Sequence, residues 1–189
     1  MDLNKIVNRI RFFILSPAQE WEKIAQKKAT NKNLVIQYII PVILFSSLLI
    51  FVGRIINWED HSAGNGTLAV LSFLLITFFT IYLSAFLINE LLPKFDTNKN
   101  LNGTFKLIIF SSLPVLIAYA VSSFHPQMGF INYVSLYSIV LYWKGVKPLL
   151  RVPAEKLTGF ALISLLIIGA LLIIISSVIM SAIIYFSVY

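Results

Sequence analysis

The chain contains no cysteine among its 189 residues. This absence excludes disulfide bonds, thiolate metal sites and palmitoylation, because each of them requires a cysteine sulfur. Histidine is also scarce, and the two present are His61 and His125. His61 follows Glu59 and Asp60, but adjacent side chains seldom converge on one ion and no second histidine lies at helical spacing. We therefore expect a solvated loop around His61, no metal site and no cofactor.

Catalytic motifs are missing as well. The sequence has no Walker-type glycine loop, no HExxH pair and no nucleophile elbow. A membrane enzyme needs several polar groups that converge at one depth, and the apolar stretches of this chain do not supply them. The sequence therefore predicts a protein that is not an enzyme and has no catalytic residue.

Charged residues make up only 12% of the chain, whereas hydrophobic residues make up 58%. Soluble globular proteins have about 25% charged residues, so this composition excludes an ordinary soluble domain. A hydrocarbon core about 30 Å thick needs about 20 apolar residues of helix. The apolar stretches are Leu34–Ile56, Leu68–Leu92, Phe105–Phe124, Phe130–Trp143 and Phe160–Tyr185. They predict an all-α, polytopic membrane protein with a five-helix transmembrane bundle.

The basic residues avoid the interiors of these stretches and lie mostly on one side of them. Fourteen of the fifteen Lys and Arg residues lie before the first stretch, around the connection between the second and third stretches, or in the connection between the fourth and fifth. The remaining one, Arg54, lies on the other side. Short flanking regions rich in Lys and Arg stay in the cytoplasm. We therefore predict a cytoplasmic amino terminus, an external carboxyl terminus, cytoplasmic helices in residues 1–33 and a five-pass domain in residues 34–189.

The net charge of +7 also bears on the choice of partner. The basic residues border membrane segments and do not form one continuous stripe, so we expect anionic lipid headgroups as partners. Nucleic acid is not expected as a partner.

The residues before the first stretch predict two amphipathic helices. Residues 3–14 place apolar side chains at three–four spacing opposite polar and basic ones, which leaves open whether this helix lies on the membrane surface or packs on the bundle. A second helix is predicted from Pro17, because proline suits the first helical position. Trp21 is expected as an interfacial anchor, with Lys27 and Lys28 against the anionic leaflet.

Glu90 is the acid that the pattern places deepest, at the cytoplasmic end of the second stretch, and Lys106 begins the third stretch. Charges at membrane depth usually find a partner, so we expect an intramembrane ion pair between Glu90 and Lys106. A role for Glu90 in coupling protons or ions is the alternative.

The third and fourth stretches are compatible with more than one arrangement. Pro114 removes one backbone hydrogen bond in the third stretch, which predicts either a kink or a helix break that lines a substrate site. Phe130–Tyr142 has only 13 residues and would reach about 20 Å as a helix. The two stretches could therefore be two full spans or a re-entrant pair that turns at His125-Pro126.

Two regions resemble a known family. The run Ser16–Ile24 resembles the P-x-x-x-W-x-x-I opening of bacterial Yip1-domain proteins, and Ser111-Ser112-Leu113-Pro114 resembles the serine–proline element of that family's third helix. The region Tyr137–Ser164 is similar to the family's fourth and fifth helices with their connecting loop. The resemblance implies a five-pass fold with a cytosolic amino end and a luminal or external carboxyl end.

The resemblance also limits what is expected of the chain. Eukaryotic members associate with prenylated Rab GTPases, with one another and with membrane-shaping partners. This sequence lacks their long cytosolic leader and their D-L-Y-G-P motif, so Rab binding is not carried over. The short leader favours a bacterial inner membrane.

Together these features predict a non-enzymatic integral membrane protein that organises membrane or partner proteins. Ser177 and Ser181 form a small-residue ridge in the fifth stretch, so we expect a homo-oligomer or a complex with other membrane proteins. The alternative is a small transporter, channel or lipid-moving protein that uses the region of the second and third helices, suggested by Pro114 and by Glu90 with Lys106.

Overall fold

The computed structural model describes residues 17–26, 39–57 and 63–188. The α-helices in these ranges are α1 (Pro17–Gln26), α2 (Ile40–Asn57), α3 (Ala63–Leu91), α4 (Leu101–Phe124), α5 (Tyr137–Leu150) and α6 (Ala154–Val188). Two 3₁₀ helices, Leu92–Phe95 and Pro126–Leu136, follow α3 and precede α5. The described ranges contain no strand, so the all-α prediction is confirmed for them.

Within the described ranges, three helical segments are apolar enough and long enough to cross a membrane, namely Gly66–Phe95, Leu101–Phe124 and Ala154–Tyr185. They correspond to the second, third and fifth predicted stretches. In the first stretch, the apolar helix Ile40–Ile56 is shorter, and the predicted start at Leu34 lies outside the described residues. Length and composition therefore support an integral membrane protein.

The main hydrophobic core lies around the first half of α4. Leu107 and Ile109 of α4 are fully buried there, together with Val146 of α5 and Phe160 of α6. α4 contacts α2, α3, α5 and the 3₁₀ helix before α5, whereas α6 contacts mainly α3. α4 is consequently the central helix, and α6 lies at the edge with much of its surface exposed.

α2 and α4 run parallel and approach closely. Ser46 Oγ donates to the Leu116 carbonyl at 3.5 Å, and further along both helices Gly53 lies against Phe124. A Cβ atom at Gly53 would be 2.5 Å from the Cα of Phe124. The missing side chain therefore allows the two backbones to meet at this end of the bundle.

The fourth predicted stretch, Phe130–Trp143, is not a single α-helix. Its first half belongs to the 3₁₀ helix Pro126–Leu136 and its second half to α5. A 3₁₀ helix rises about 2.0 Å per residue, compared with about 1.5 Å in an α-helix. Because its 3₁₀ part rises more per residue, this short apolar stretch spans a greater distance than an α-helix with the same number of residues.

Two hydrogen bonds show how far this pair of elements extends along α4. At one end of α4, Ser122 Oγ donates to Asn132 Oδ1 at 2.9 Å. At the other end, Asn100 Nδ2 donates to the Leu149 carbonyl at 3.3 Å. The 3₁₀ helix and α5 therefore run antiparallel to α4 along its whole length of about 36 Å, which favours a hairpin over a re-entrant pair.

α4 continues through Pro114 as one helix, so the predicted helix break at Pro114 is corrected. Proline removes one N–H donor, but both neighbouring turns are held by packing, with Ser111 and Leu116 buried. The Ser111 hydroxyl donates to the Leu107 carbonyl at 2.7 Å, one turn earlier. No unwound backbone of the kind that lines a substrate site occurs within α4.

Candidate functional site

Four helix ends meet at one end of the bundle, which we call the basic end. α3 and α5 finish there, and α4 and α6 begin there. The Asn100–Leu149 hydrogen bond and the contact of the Phe95 and Phe160 rings, 5.3 Å apart, hold these ends side by side. Besides the buried Lys106, the basic residues on the connections and helices that meet here are Lys94, Lys99, Lys144, Lys147, Arg151 and Lys156.

α1 packs against α5 at the basic end, and Trp21 is the centre of this contact. The Trp21 side chain is fully buried, and its ring meets that of Phe110 edge-on with centroids 6.1 Å apart. Opposite the indole lies Gly145, where a Cβ atom would be 2.8 Å from the Trp21 ring and 2.6 Å from Leu107 Cδ1. The glycine therefore provides the space that the indole occupies.

This position corrects the prediction that Trp21 is an interfacial anchor. The indole packs in the core because Gly145, Phe110 and Leu107 form an apolar pocket that removes the whole ring from solvent, and burial of apolar area is the main stabilising term. α1 thus packs on the bundle, with Ile24 also buried, whereas the helix predicted in residues 3–14 lies outside the described residues. Lys27 and Lys28, the other predicted anchors, lie outside the described residues.

Lys106 provides the polar part of the same contact. The residue is only 6% exposed, and its Nζ donates to the Ile24 carbonyl at 3.3 Å. The last carbonyls of a helix lack intrahelical donors, and a cation near them also interacts favourably with the helix dipole. Lys106 of α4 therefore caps the carboxyl-terminal turn of α1.

The expected ion pair between Glu90 and Lys106 is replaced by other contacts. Glu90 Oε2 accepts from Lys99 Nζ at 2.5 Å, with side chains 43% and 52% exposed. The connection between α3 and α4 brings Lys99 back to the exposed side of Glu90, whereas Lys106 is directed towards α1. An exposed pair of this kind contributes about 0–1 kcal/mol.

The remaining cations of the basic end differ in how they are neutralised. Lys156 pairs with Asp96, as Lys99 does with Glu90. Among the described residues, no salt bridge engages Lys94, Lys144, Lys147 or Arg151, and all of these side chains are exposed.

Arg151 has a left-handed backbone with φ 58°, and its N–H donates to the Lys147 carbonyl at 3.0 Å. This geometry is a helix C-cap of the kind that glycine usually supplies. Arg151 therefore ends α5 and fixes the direction in which the chain leaves it.

Several buried polar atoms of α3 and α5 have no hydrogen-bond partner within the described ranges. They include Ser84 Oγ, Asn89 Oδ1 and the Tyr142 hydroxyl. Ser164 of α6 is the side chain that approaches the Tyr142 hydroxyl. Buried polar groups are normally paired, so each of these atoms is a candidate for contact with a polar ligand.

Sequence reasoning identified Trp21 and Lys106 but missed Gly145 and Asn100. Asn100 Oδ1 accepts from the Gly103 N–H at 2.9 Å, and this N-cap could have been read from the asparagine three residues before Gly103. Gly145 leaves only a weak signal, a glycine within a helical pattern.

The histidines add little to the described part of the molecule. His125 caps the 3₁₀ helix, because its Nδ1 accepts from the Gln127 N–H at 3.3 Å. His61 lies outside the described residues. Within the ranges that the structure describes, no group of three His, Cys, Asp or Glu residues could hold a metal ion.

A family model described as Yip1 domain matches residues 11–177, a region that includes the Trp21 pocket and the whole basic end. No curated protein and no solved structure matches the chain.

Proposed function

The chain belongs to the Yip1-domain family, and on that premise we propose that it is a non-enzymatic membrane protein that organises partner proteins at the cytoplasmic surface. The observation that carries this proposal is the docking of α1. Trp21 and Lys106 hold the helix on the bundle, so that its other face is presented in a fixed orientation. Gln19, Glu22 and Gln26 are exposed on that face.

The proposed topology has five crossings, with the basic end in the cytoplasm. Three spanning helices, the parallel direction of α2 and α4, and the antiparallel hairpin of α4 with the 3₁₀ helix and α5 support this arrangement. The segregation of Lys and Arg sets its direction. A bacterial inner membrane remains our proposal for the location.

Self-association through α6 is part of the proposal. Leu166 and Ile173 are 72% and 68% exposed, and Ser177 and Ser181 are exposed on the same helix face at the following four-residue intervals. Small residues allow transmembrane helices to approach closely. This face therefore suits a second copy of the chain or another membrane helix.

A photo-crosslinking experiment tests the organising role. A benzophenone amino acid is placed at Glu22 or Gln26 on the exposed face of α1, with Gln127 at the opposite end as the control position. We expect a discrete adduct with a membrane protein from α1 positions, and its loss when Gly145→Val displaces Trp21. Adducts that are equally abundant from Gln127, or that survive Gly145→Val unchanged, would contradict the proposal.

Transport is the second candidate function. It is favoured by the buried Ser84 Oγ and Asn89 Oδ1, which have no hydrogen-bond partner within the described ranges, and by the buried Tyr142 hydroxyl, which Ser164 approaches. Solute or lipid flux is measured in proteoliposomes with wild type, Asn89→Leu and Tyr142→Phe. Glu90→Gln is the matched control, because its carboxylate is exposed and paired with Lys99. Flux that depends on Asn89 and Tyr142 would support transport, and flux no greater than in empty liposomes would exclude it for the solutes tested.

A further inference from the structure

One face of α5 carries a stripe of cations. Lys144 and Lys147 are three residues apart, which places them on the same side of the helix, and Arg151 follows about one turn later as the residue that ends α5. Tyr142 and Val146 are fully buried on the other side. Because the packing of that buried side fixes the rotation of α5, the two lysines project outward together, and the exposed Arg151 follows at the end of the helix.

Within the described ranges, no carboxylate forms a salt bridge with the three cations of this stripe. The carboxylates of Glu90 and Asp96 are engaged by Lys99 and Lys156, two lysines outside the stripe. The basic end thus contains two kinds of cation. Lys99, on the α3–α4 connection, and Lys156, in the first turn of α6, form salt bridges, whereas Lys94 and the cations of the stripe form none within the described ranges. A concentrated, exposed positive charge favours an anionic ligand.

The stripe lies where the apolar spans end. The hydrogen bond from Asn100 to the Leu149 carbonyl places the end of α5 level with the start of the spanning helix Leu101–Phe124. Lys147 and Arg151 are therefore at headgroup depth in the proposed topology. Lys144 is about one turn deeper, and its long aliphatic stem can bring its ammonium to the same level.

Towards the amino terminus of α5, the same face becomes apolar. Val140 and Leu136 precede Lys144 by one and two helical turns, and they are 41% and 59% exposed. Leu136 also lines an open groove of about 600 Å³ together with Phe130 and Tyr133. The surface therefore has cations at one end and a continuous apolar path leading away from them.

We infer that this face of α5 binds one anionic phospholipid of the cytoplasmic leaflet. The headgroup phosphate lies among Lys144, Lys147 and Arg151, and an acyl chain follows Val140 and Leu136 into the groove. This inference rests on the proposed membrane topology. The apolar path distinguishes a lipid from a soluble phosphodiester or a nucleic acid, because neither of these has a hydrocarbon chain to bury.

Native mass spectrometry of the full chain in a nonionic detergent tests the site. Binding of palmitoyl-oleoyl phosphatidylglycerol is compared with that of the zwitterionic phosphatidylcholine of the same chains. K144Q/K147Q removes two stripe cations, whereas K99Q/K156Q removes two paired cations and changes the net charge equally. Arg151 is left intact, because its left-handed backbone caps α5. Hydrogen–deuterium exchange of α1 confirms that both variants are folded.

We expect K144Q/K147Q to bind phosphatidylglycerol roughly 25-fold more weakly, or about fivefold per charge, and to lose most of the preference over phosphatidylcholine. K99Q/K156Q should change this binding less than about twofold, because those cations are already paired. Equal losses in the two variants, or no loss in K144Q/K147Q, would overturn the site.

Further measurements show whether the bound phosphate belongs to a lipid or to a soluble molecule. They also separate the lipid site from the proposed organising function. Soluble glycerophosphoglycerol, which has the headgroup without chains, should not compete at equal concentration, and full competition would overturn the lipid assignment. Leu136→Ser should weaken both lipids without changing their ratio, and an unchanged affinity for both would contradict the acyl path. If α1 crosslinking fails while the stripe retains its lipid preference, the organising function falls and the lipid site stands.

Discussion

At the scale of single residues, the space left by Gly145 determines whether Trp21 can remain buried. Gly145→Ala would introduce a Cβ atom 2.6 Å from Leu107 Cδ1 and 2.8 Å from the indole. Overpacking of this kind costs about 1–3 kcal/mol, so we expect α1 to loosen from the bundle. Faster hydrogen–deuterium exchange in residues 19–26 measures this effect.

Gly169→Ala is the matched control, because nothing lies within 4 Å of a Cβ atom at that position. It should leave the exchange of α1 unchanged. If Gly145→Ala exchanges like Gly169→Ala, the indole pocket does not hold α1 in place.

Lys106 gives a second prediction at the same contact. Lys106→Met retains the aliphatic volume but removes the donor to the Ile24 carbonyl. Loss of a partner for a buried polar group costs about 1–3 kcal/mol, and we expect the last turn of α1 to exchange faster while α4 remains protected. Lys99→Met, which breaks an exposed ion pair, should change stability by less than about 1 kcal/mol. A larger effect from Lys99→Met than from Lys106→Met would contradict this assignment.

At the scale of elements, Gly53 sets the distance between α2 and α4. A Cβ atom there would lie 2.5 Å from Phe124 Cα and from the Ser123 carbonyl oxygen, and backbone atoms cannot move aside as side chains can. We expect Gly53→Ala to force the helices apart and to lower the thermal unfolding temperature in detergent. Gly129→Ala, which meets nothing within 4 Å, should not do so, and equal unfolding temperatures would contradict the close approach.

The long elements were predictable from the sequence because apolar length alone defines them. The stretches Leu68–Leu92 and Phe160–Tyr185 lie within α3 and α6 except for the last residue of the former. The stretch Phe130–Trp143 was harder, because hydropathy does not distinguish a 3₁₀ helix from an α-helix. Periodicity likewise found the apolar face of α1 but not the surface that covers it.

Individual residues of the candidate site were predictable from the sequence, but their spatial arrangement was not. Trp21 and Lys106 stood out by residue type, but 85 residues separate them in the chain, and no local pattern pairs residues so far apart. Sequence reasoning therefore assigned Trp21 to the lipid interface and Lys106 to Glu90, the nearest carboxylate along the predicted membrane boundary. The structure instead buries Trp21 of α1 in the bundle and directs Lys106 to the last turn of α1.

At the scale of the whole molecule, the proposed topology can be tested with single cysteines, because the chain has none of its own. In intact cells, a membrane-impermeant maleimide should label Gln127→Cys but not Asn98→Cys or Glu155→Cys. Permeabilised cells should show labelling at all three positions. Labelling of Asn98→Cys and Gln127→Cys from the same side would contradict the five-pass arrangement.

Self-association is the second prediction at this scale. Ser177→Ile with Ser181→Ile adds bulk to the exposed face of α6, so helices can no longer approach closely there. We expect single-molecule photobleaching in liposomes to shift from multiple steps to one. Thr158→Ile, an exposed change near the start of α6, is the control, and an unchanged step distribution in the double variant would exclude this face as the contact.

The 35-residue length of α6 has a consequence for the surrounding bilayer. Its apolar stretch, Phe160–Tyr185, extends about 39 Å, beyond a hydrocarbon layer about 30 Å thick. Its axis must lean or the lipid must thicken around it, and either adjustment costs a fraction of a kcal/mol per ångström of mismatch. In bilayers with longer acyl chains, this helix should therefore stand more upright. Where thick and thin bilayers coexist, the protein should partition into the thicker one.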